Sequence, residues 1–394
     1  MKKIALWMTY LYFFICPLEF IFNRYFGSSV KYIAIVAAAC MLMFFIGNRQ
    51  QTMRFGAIQV CIVAWAVLEA ASFLWTIRVG LTLSILTTYI MMAILVFAIS
   101  LFPFDKKEFE GVLLSYMLGC VVLGAMVLIM GDLDSGYSNF GRITINILGS
   151  YQDPNSLAAS LLSGAFFALH QMLKKPKGFP IFNILYGAAF VVMTLATFLT
   201  ASRGALIAYV GALFIYLFMR SSQKSRAQMV AISLVSIVLL YFVLYLTLSK
   251  TAFNRLFDFS GYIGGGGRLR IWKPALREII IHPLFGRGVA SYLGYFMQVL
   301  NEEVAMHNSF LALVFECGIV GLTLFMIPFI QSMYAARYKK NAMIIAIISA
   351  NLIAAFFLDA LVVRYLWNAM MFGIIFYNVS LKEQNEAQNI IDKA

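Results

Sequence analysis

Runs of about twenty apolar residues recur along almost the whole of this 394-residue chain. A helix of that length crosses the hydrocarbon core of a bilayer. Hydrophobic residues make up 62% of the chain and charged residues 12%, and the mean hydropathy is +0.86. A soluble domain carries about 25% charged residues. The composition therefore excludes an ordinary soluble domain and predicts an all-α polytopic membrane protein.

The apolar runs predict a single transmembrane domain over residues 1–394, with about twelve helices. Residues 381–394 form a short polar tail. Lys2 and Lys3 precede an apolar run that is too long for a typical signal peptide, so we expect this first span to be retained. The predicted spans lie near residues 4–22, 31–47, 55–75, 80–102, 111–130, 155–173, 181–201, 204–219, 228–248, 309–333, 342–358 and 365–379.

Basic residues predict the orientation, because cytoplasmic loops of membrane proteins collect Lys and Arg. With Met1 in the cytoplasm, 17 of the 30 basic residues lie inside and 6 lie in short outside loops. The other 7 lie in residues 249–308, a long loop predicted outside. Both termini are therefore predicted to be cytoplasmic. The net charge of +13 is mostly this topology signal, next to anionic membrane lipid, and does not indicate nucleic-acid binding.

The long external loop, residues 249–308, concentrates the polar chemistry of the chain. Four glycines at 264–267 suggest a hinge or a close backbone approach. After them, Leu269, Trp272 and further apolar residues recur at helical spacing, which predicts short amphipathic helices on the outer membrane surface. Pro274 interrupts this segment, so we expect a helix to restart there.

Two arginines stand at predicted outer boundaries of spans. Arg203 in TASRGAL is either a boundary residue that reaches out to the interface or an anion-binding group. Arg364 follows Asp359 by five residues, and the pair is either purely structural or a carboxylate that orients a guanidinium towards a phosphate.

Three further residues of the long loop are candidates for chemistry. Arg268 and Arg270 follow the glycines, where backbone and guanidinium groups together can cradle an anion, although a solvated charge run is the alternative. His307 lies at the outer mouth of the tenth predicted span. A neutral imidazole there can take a proton from a sugar hydroxyl near pH 7, and the alternative is a histidine bonded to a loop carbonyl.

Other polar residues are expected to support the site. Asn308 is able to cap the helix that follows His307. Glu316 lies too far along that helix to pair with His307 and is expected to bond within the bundle. Asp153 and Asn155 flank Pro154 at a helix start, where capping competes with binding. The chain has no metal-ligand spacing and no soluble-enzyme motif such as a P-loop. We therefore predict no metal and no cofactor.

Five motifs together resemble the O-antigen ligase and O-antigen polymerase superfamily of bacterial envelope glycosyltransferases. The resemblance covers roughly residues 150–365. Each motif is weak alone, but their order and their spacing relative to the predicted spans are specific: QDPNSLA at 152–158, TASRGAL at 200–206, GGRLRIW at 266–272, HPLFGRG at 282–288 and MHNSFLALVFECGIVGL at 306–322.

The resemblance implies a GT-C-like, metal-independent inverting transferase in the bacterial inner membrane, with its active site facing outward. Its donor would be a glycan on a polyprenyl diphosphate, usually undecaprenyl. Arg203 and Arg268 would bind the diphosphate, with Arg364 and Arg270 as further candidates, and His307 would be the base. A flippase and a chain-length regulator are possible partners in envelope assembly.

Three interpretations stay open. A polymerase, which we place first, would extend a lipid-linked repeat unit in O-antigen, capsule or exopolysaccharide synthesis. A ligase would instead transfer the glycan to a lipid A–core sugar or to a protein. A transporter or flippase for a lipid-linked anion would need charged groups near the middle of the membrane, whereas the candidates here collect at the outer boundary.

Overall fold

The computed structural model describes residues 1–48, 55–77, 79–132, 141–175, 180–220, 248–257 and 267–391, with positions 238, 241–242 and 244–246. Two short 3-10 turns, at Cys16–Leu18 and Phe73–Trp75, extend the helices before them. In chain order we number the α-helices α1 (Lys2–Ile15), α2 (Glu19–Phe26), α3 (Ser29–Gly47), α4 (Ala57–Ser72), α5 (Val79–Leu101), α6 (Lys106–Met130), α7 (Pro154–Met172), α8 (Ile181–Leu199), α9 (Arg203–Arg220), α10 (Lys250–Phe257), α11 (Arg268–Ile281), α12 (Ser291–Leu300), α13 (Ser309–Tyr338), α14 (Ala342–Phe357) and α15 (Arg364–Ile391).

The prediction of an all-α polytopic membrane protein is confirmed. In the described part of the chain, 8 helical segments are long and apolar enough to cross a membrane. Three other predicted spans correspond to α7, α14 and α15, and most residues of the predicted span 228–248 lie outside the described residues. The count of about twelve spans stays a prediction. The eight segments are Lys2–Phe26, Ser29–Gly47, Ala57–Trp75, Thr82–Leu101, Lys106–Met130, Ile181–Leu199, Arg203–Arg220 and Ser309–Tyr338.

Close helix packing explains the small residues within the spans. Gly119 on α6 lies against α1, and a Cβ atom there would be 2.0 Å from the carbonyl oxygen of Phe14. Only glycine permits so close an approach of two helix backbones. Elsewhere the rings of Trp65, Phe325 and Trp367 meet with their centroids 5.2–5.4 Å apart and join α4, α13 and α15.

Segments that the charge pattern predicts on one side of the membrane contact one another. Thr76 donates a hydrogen bond to the carbonyl oxygen of Val289 at 2.8 Å, which links two segments predicted outside. Lys2 and Glu108, both predicted inside, form an ion pair at 2.7 Å. We call the end of the bundle that carries the predicted outside segments the outer end.

A two-stranded hairpin stands at the outer end before α7. Strand β1 (Asn146–Ile147) pairs with β2 (Ser150–Tyr151) in an antiparallel register that sets Asn146 opposite Tyr151. Leu148 and Gly149 form the two-residue loop, with φ of 51° and 77°. Positive φ at both loop positions is typical of the tight turns that match the twist of paired strands.

The described residues of the long loop, 249–257 and 267–308, include the three short helices α10, α11 and α12. The expected helix restart at Pro274 is wrong, because α11 continues through this proline from Arg268 to Ile281. Because proline has no N–H, the carbonyl of Arg270 has no helical donor. Arg270 is exposed, so water can bond to this carbonyl. Of the proposed glycine hinge, residues 264–266 lie outside the described residues.

Candidate functional site

His307 is held by a carboxylate that lies 52 residues further along the chain. Asp359 Oδ1 accepts a hydrogen bond from the backbone N–H of His307 at 2.9 Å, and Oδ2 lies 3.0 Å from Nδ1 of the ring. With Nδ1–H donated to this carboxylate, the neutral ring carries its lone pair on Nε2. The His307 side chain is 46% exposed, so Nε2 is accessible to a substrate.

The two residues that follow His307 fix the turn that carries it. Asn308 Oδ1 accepts from two backbone N–H groups in the first turn of α13, both at 3.0 Å, and so caps that helix. Ser309 Oγ donates to the carbonyl of Leu358 and accepts from the N–H of Ala360, both at 2.7 Å. These bonds hold the backbone on either side of Asp359.

Helix α11 places Arg268 beside this turn. Gly267 precedes the helix with a φ of 82°, a conformation that favours glycine, and Arg268 is the first residue of the helix. One turn later, Trp272 Nε1 donates to the carbonyl oxygen of Met306 at 3.0 Å. The motif GGRLRIW is therefore bonded through its tryptophan to the residue before His307.

Burial and two neighbouring charged side chains shift the pKa of Arg268. Burial lowers the pKa of Arg268, the Asp359 carboxylate raises it, and the second guanidinium, of Arg203, lowers it again. An arginine side chain nevertheless stays protonated in proteins. Arg203 starts α9 and is half-buried, and its Nε donates to the carbonyl oxygen of Arg255 at 2.7 Å. We call His307, Asp359, Arg268 and Arg203 the His307 cluster.

A buried arginine that sequence analysis treated only as a topology signal supports Arg203. Arg142 Nε donates to the carbonyl of Thr200 at 3.0 Å, and its Nη2 donates to Asn155 Oδ1 at 2.7 Å. Asn155 Oδ1 also accepts from Ser202 Oγ at 2.9 Å. Asn155 thus positions the turn before Arg203. The signal in the sequence was that Arg142 is the only Lys or Arg between Lys107 and Lys174.

Asp153 acts as a helix cap. Its Oδ2 accepts from the backbone N–H of Ser156 at 3.0 Å and from Ser156 Oγ at 2.8 Å, and Oδ1 accepts from Asn155 Nδ2 at 3.1 Å. These bonds satisfy the free N–H groups at the start of α7. The capping interpretation of Asp153 therefore describes its observed contacts.

The motifs HPLFGRG and ECGIVG interlock. Helix α13 breaks at Gly318, where φ is 63° and ψ is −166°, and the loop 282–288 inserts at the break. A Cβ atom on Gly318 would lie 2.1 Å from the carbonyl oxygen of Leu284, so no other residue fits. The N–H of Gly288 donates to the carbonyl oxygen of Glu316 at 2.8 Å. Loop and helix thus satisfy backbone groups that the break leaves free.

The Glu316 side chain supports this junction from inside the bundle. Its Oε1 accepts from the backbone N–H of Ala290 at 2.8 Å, and Tyr89 donates to Oε2 at 3.4 Å. Glu316 is fully buried. It contacts the loop and not His307, as expected from its distance along the helix.

Arg364 pairs with a carboxylate that does not belong to the His307 cluster. Its guanidinium is buried and forms an ion pair with Glu19, a contact between α15 and α2. The expected pairing of Asp359 with Arg364 is not found, because both oxygens of Asp359 bond to His307. Sequence proximity suggested the wrong partner, since packing of distant helices brings Glu19 closer.

Arg270 and Arg287, two further basic residues of the long loop, pair with local carboxylates. Arg270 forms a fork with Glu302, at 3.0 and 2.5 Å, on an exposed surface. This hydrogen bond raises the pKa of Arg270 and lowers that of Glu302. Arg287 pairs with Glu278 at 3.0 Å, and His282 lies 3.6 Å from the same carboxylate. Arg270 therefore points its charge at Glu302 and not at the His307 cluster.

The His307 cluster combines an oriented base with two guanidinium groups at the outer end of the bundle. Such a set can accept a proton from a hydroxyl and stabilise negative charge that develops on a leaving group. Within the described residues, no group of three or more His, Cys, Asp and Glu side chains is arranged to hold a metal ion.

The comparison with known families matches the region that holds most of this cluster. Residues 188–326 match the family described as O-antigen ligase, and this region contains Arg203, Arg268 and His307 but not Asp359. A search of curated proteins found no match to the chain. Over residues 188–326 the chain is thus similar to the O-antigen ligase family, which confirms the predicted resemblance to the O-antigen ligase and O-antigen polymerase superfamily.

Proposed function

We propose that the protein is a metal-independent, inverting glycosyltransferase of the bacterial inner membrane. It transfers a glycan from a polyprenyl diphosphate, such as undecaprenyl diphosphate, to a hydroxyl of an acceptor sugar on the outer face. Both termini are cytoplasmic in this proposal. One observation carries it: the Asp359–His307 pair, at 3.0 Å, lies beside Arg268 and Arg203.

The proposed reaction is a single displacement. His307 Nε2 takes the proton of the acceptor hydroxyl while the oxygen attacks the anomeric carbon of the donor sugar. The bond from that carbon to the diphosphate oxygen breaks, and the electron pair leaves with the lipid diphosphate. Attack from the face opposite the leaving group inverts the anomeric centre. Arg203 and Arg268 stabilise the charge that the diphosphate gains.

Asp359 has a positioning role in this mechanism. It selects the ring tautomer with the lone pair on Nε2, and it stabilises the imidazolium that forms when the proton arrives. The backbone N–H of His307 is tied to the same carboxylate, so Asp359 fixes both the main chain and the ring. Such double fixation reduces the reorganisation needed at the moment of reaction.

We place a polymerase first, with a second lipid-linked glycan as the acceptor. A ligase that uses lipid A–core or a protein as acceptor is the second candidate, favoured by the description of the matched family as O-antigen ligase. Supplying each acceptor separately to the purified protein distinguishes the two. Product chains that remain linked to a polyprenyl diphosphate indicate a polymerase, and transfer to the core sugar or protein indicates a ligase.

The decisive experiment incubates the purified, reconstituted protein with a polyprenyl-diphosphate glycan. We expect longer or transferred glycans and released lipid diphosphate in equal amounts, with and without EDTA. Glycan transfer that survives both Arg203→Ala and His307→Ala would contradict the mechanism. Loss of transfer in EDTA that a divalent cation restores would contradict its metal-free form. Movement of intact donor across the bilayer without glycan transfer would instead support the transporter.

A further inference from the structure

A polar cavity separate from the described contacts of His307 lies at the outer end, between α2, α6, α7 and α15. Its volume is about 290 Å³, near the lower end of the range for small-molecule sites. Arg364, Glu19 and Asp153 supply its charged groups, and Asn23, Gln152 and Tyr365 line it as well. We call it the Arg364 cavity.

Four lining residues of the Arg364 cavity carry buried polar atoms without a hydrogen-bond partner among the described residues. The atoms are Asn23 Oδ1, Gln152 Oε1, Arg364 Nε and Tyr365 Oη. A buried polar group without a partner costs about 1–3 kcal/mol. Four such atoms at one cavity indicate a ligand or ordered water that bonds to them.

The chemistry of these four atoms indicates hydroxyl groups. Asn23 Oδ1 and Gln152 Oε1 accept hydrogen bonds, Arg364 Nε donates one, and Tyr365 Oη can do either. A sugar hydroxyl is both donor and acceptor, and several lie on adjacent carbons of one ring. A single pyranose can therefore satisfy acceptors and donors that no purely anionic ligand satisfies, because a phosphate or carboxylate oxygen only accepts.

The charges of the Arg364 cavity also disfavour an anion. Arg364 is paired with Glu19, and Asp153 adds a second carboxylate to the lining. One guanidinium thus faces two carboxylates, and a diphosphate would meet like charge on entry. This observation argues against the expected diphosphate role of Arg364 and favours a neutral ligand.

The Arg364 cavity adjoins the His307 cluster. Val362 lines it and also lines a small neighbouring pocket that includes Asp359 and Ser309. Asp359 in turn has Arg268 as an electrostatic neighbour. In the in-line displacement proposed above, the acceptor approaches the base from the side away from the diphosphate. Because Arg268 and Arg203 are assigned to the diphosphate in that proposal, we assign the acceptor to the neighbouring Arg364 cavity.

We infer that the Arg364 cavity is a subsite for one neutral sugar residue of the acceptor glycan. This inference rests on the proposed function. The subsite would hold the sugar through Asn23, Gln152, Arg364 and Tyr365 while a hydroxyl reaches His307 Nε2.

Direct binding tests the subsite without turnover. Saturation-transfer NMR on the protein in nanodiscs uses galactose, glucose and N-acetylglucosamine as neutral probes and glucuronate as an anionic probe. Pyrophosphate, which has no C–H protons, is tested by its displacement of a bound sugar. We expect transfer to at least one neutral sugar and none to glucuronate at the same site. The double variant Tyr365→Phe/Gln152→Met keeps side-chain volume but removes two of the polar atoms, and we expect about a tenfold weaker affinity.

A matched control separates loss of the site from loss of the fold. Tyr209→Phe removes a buried hydroxyl that bonds to Thr194 at 2.9 Å on another part of the bundle, and sugar binding should not change. Thermal melting of both variants checks folding. Equal binding in the double variant, binding of no neutral sugar, or binding of pyrophosphate that the double variant abolishes would each overturn the inference.

Failure of the subsite and failure of the proposed function give different results. His307→Ala should abolish transfer and leave sugar binding intact. If the double variant loses binding but no glycan transfer is ever detected, the subsite stands and the transferase proposal fails. If transfer depends on His307 while the double variant leaves both binding and the acceptor KM unchanged, the subsite fails alone.

Discussion

The His307 cluster and the Arg364 cavity both combine arginine with carboxylate at the outer end, yet they differ in what their charges face. In the cluster, both carboxylate oxygens of Asp359 contact His307, at 2.9 Å from its backbone nitrogen and 3.0 Å from Nδ1 of its ring. In the cavity, Arg364 is buried against Glu19. Because Asp359 bonds to His307, the guanidinium groups of the His307 cluster can interact with a negatively charged ligand. In the Arg364 cavity, Glu19 neutralises the charge of Arg364.

The comparison shows that an outer-boundary arginine is not by itself a diphosphate-binding group. Arg268 and Arg364 are both candidates for diphosphate binding in the sequence, the first in the long outer loop and the second at an outer boundary of a span. Their environments separate them: burial, Asp359 and Arg203 act together on Arg268, while a buried ion pair holds Arg364. We propose that Arg268 stabilises the charge of the leaving group, whereas the ion pair of Arg364 with Glu19 joins two helices.

The largest expected effect breaks the His307 cluster at Arg268. Arg268→Ala should lower glycan transfer by about 10²–10³-fold, because a fixed donor to the developing charge is lost. Arg268→Lys should recover part of the activity, since an ammonium restores charge without the guanidinium fork. The measurement is the initial rate of lipid-diphosphate release. Arg277→Ala, an exposed arginine on the same helix, is the matched control and should keep the wild-type rate.

The next effect concerns stability at the Arg364 cavity. Arg364→Gln should destabilise the protein by about 3 kcal/mol, because Glu19 loses its partner in a largely buried site. The value lies at the lower end for buried pairs since the Glu19 side chain keeps 24% exposure. Thermal melting in detergent measures it. The double variant Arg364→Met/Glu19→Leu should regain most of the loss, and a double variant as unstable as the single one would contradict the pairing.

Sequence analysis predicted the helices and the position of the candidate residues at or beyond helix ends, because both depend on local composition. Apolar runs predict spans, and charged residues fall at their ends. The pairing of His307 with Asp359 was not predictable in this way, since 52 residues separate them. A carboxylate five residues from Arg364 appeared to be its partner, but helix packing presents Glu19 instead.

The helix break at Gly318 was hidden for a similar reason. Residues 309–333 form one apolar run in the sequence, and hydropathy does not distinguish a continuous helix from two halves. The break is visible only when the loop 282–288 inserts its backbone there, with Gly288 bonded to Glu316 at 2.8 Å. Glycines in both motifs were the signal, but a glycine alone does not identify the backbone that approaches it.

A smaller effect sharpens the role of Asp359. Asp359→Asn keeps a hydrogen-bond acceptor near His307 but removes the charge that stabilises the imidazolium. We expect transfer to fall by about 10–10²-fold, part of the contribution of a positioned base, with little change in the KM of either substrate. An effect on KM alone would indicate that Asp359 binds substrate and does not act through His307. Asp132→Asn, a carboxylate outside both regions, provides the control for charge removal at the outer end.

The smallest effect tests whether Arg270 belongs to the His307 cluster at all. Arg270 bonds to Glu302 on an exposed surface, and the pKa of Glu302 is lowered by this hydrogen bond. Because the folded pKa lies below the unfolded one, the pair stabilises the fold above the unfolded pKa of Glu302. That contribution is lost as the pH falls through the folded pKa, and it is small for exposed groups.

Arg270→Gln should therefore leave the transfer rate at pH 7 within about twofold of wild type and remove only this acid-dependent difference in melting temperature. A loss of activity as large as that of Arg268→Ala would show instead that Arg270 leaves Glu302 to bind the diphosphate. The partner of Arg270 would then change when the substrate binds, and the ion pair with Glu302 would not exclude Arg270 from the site.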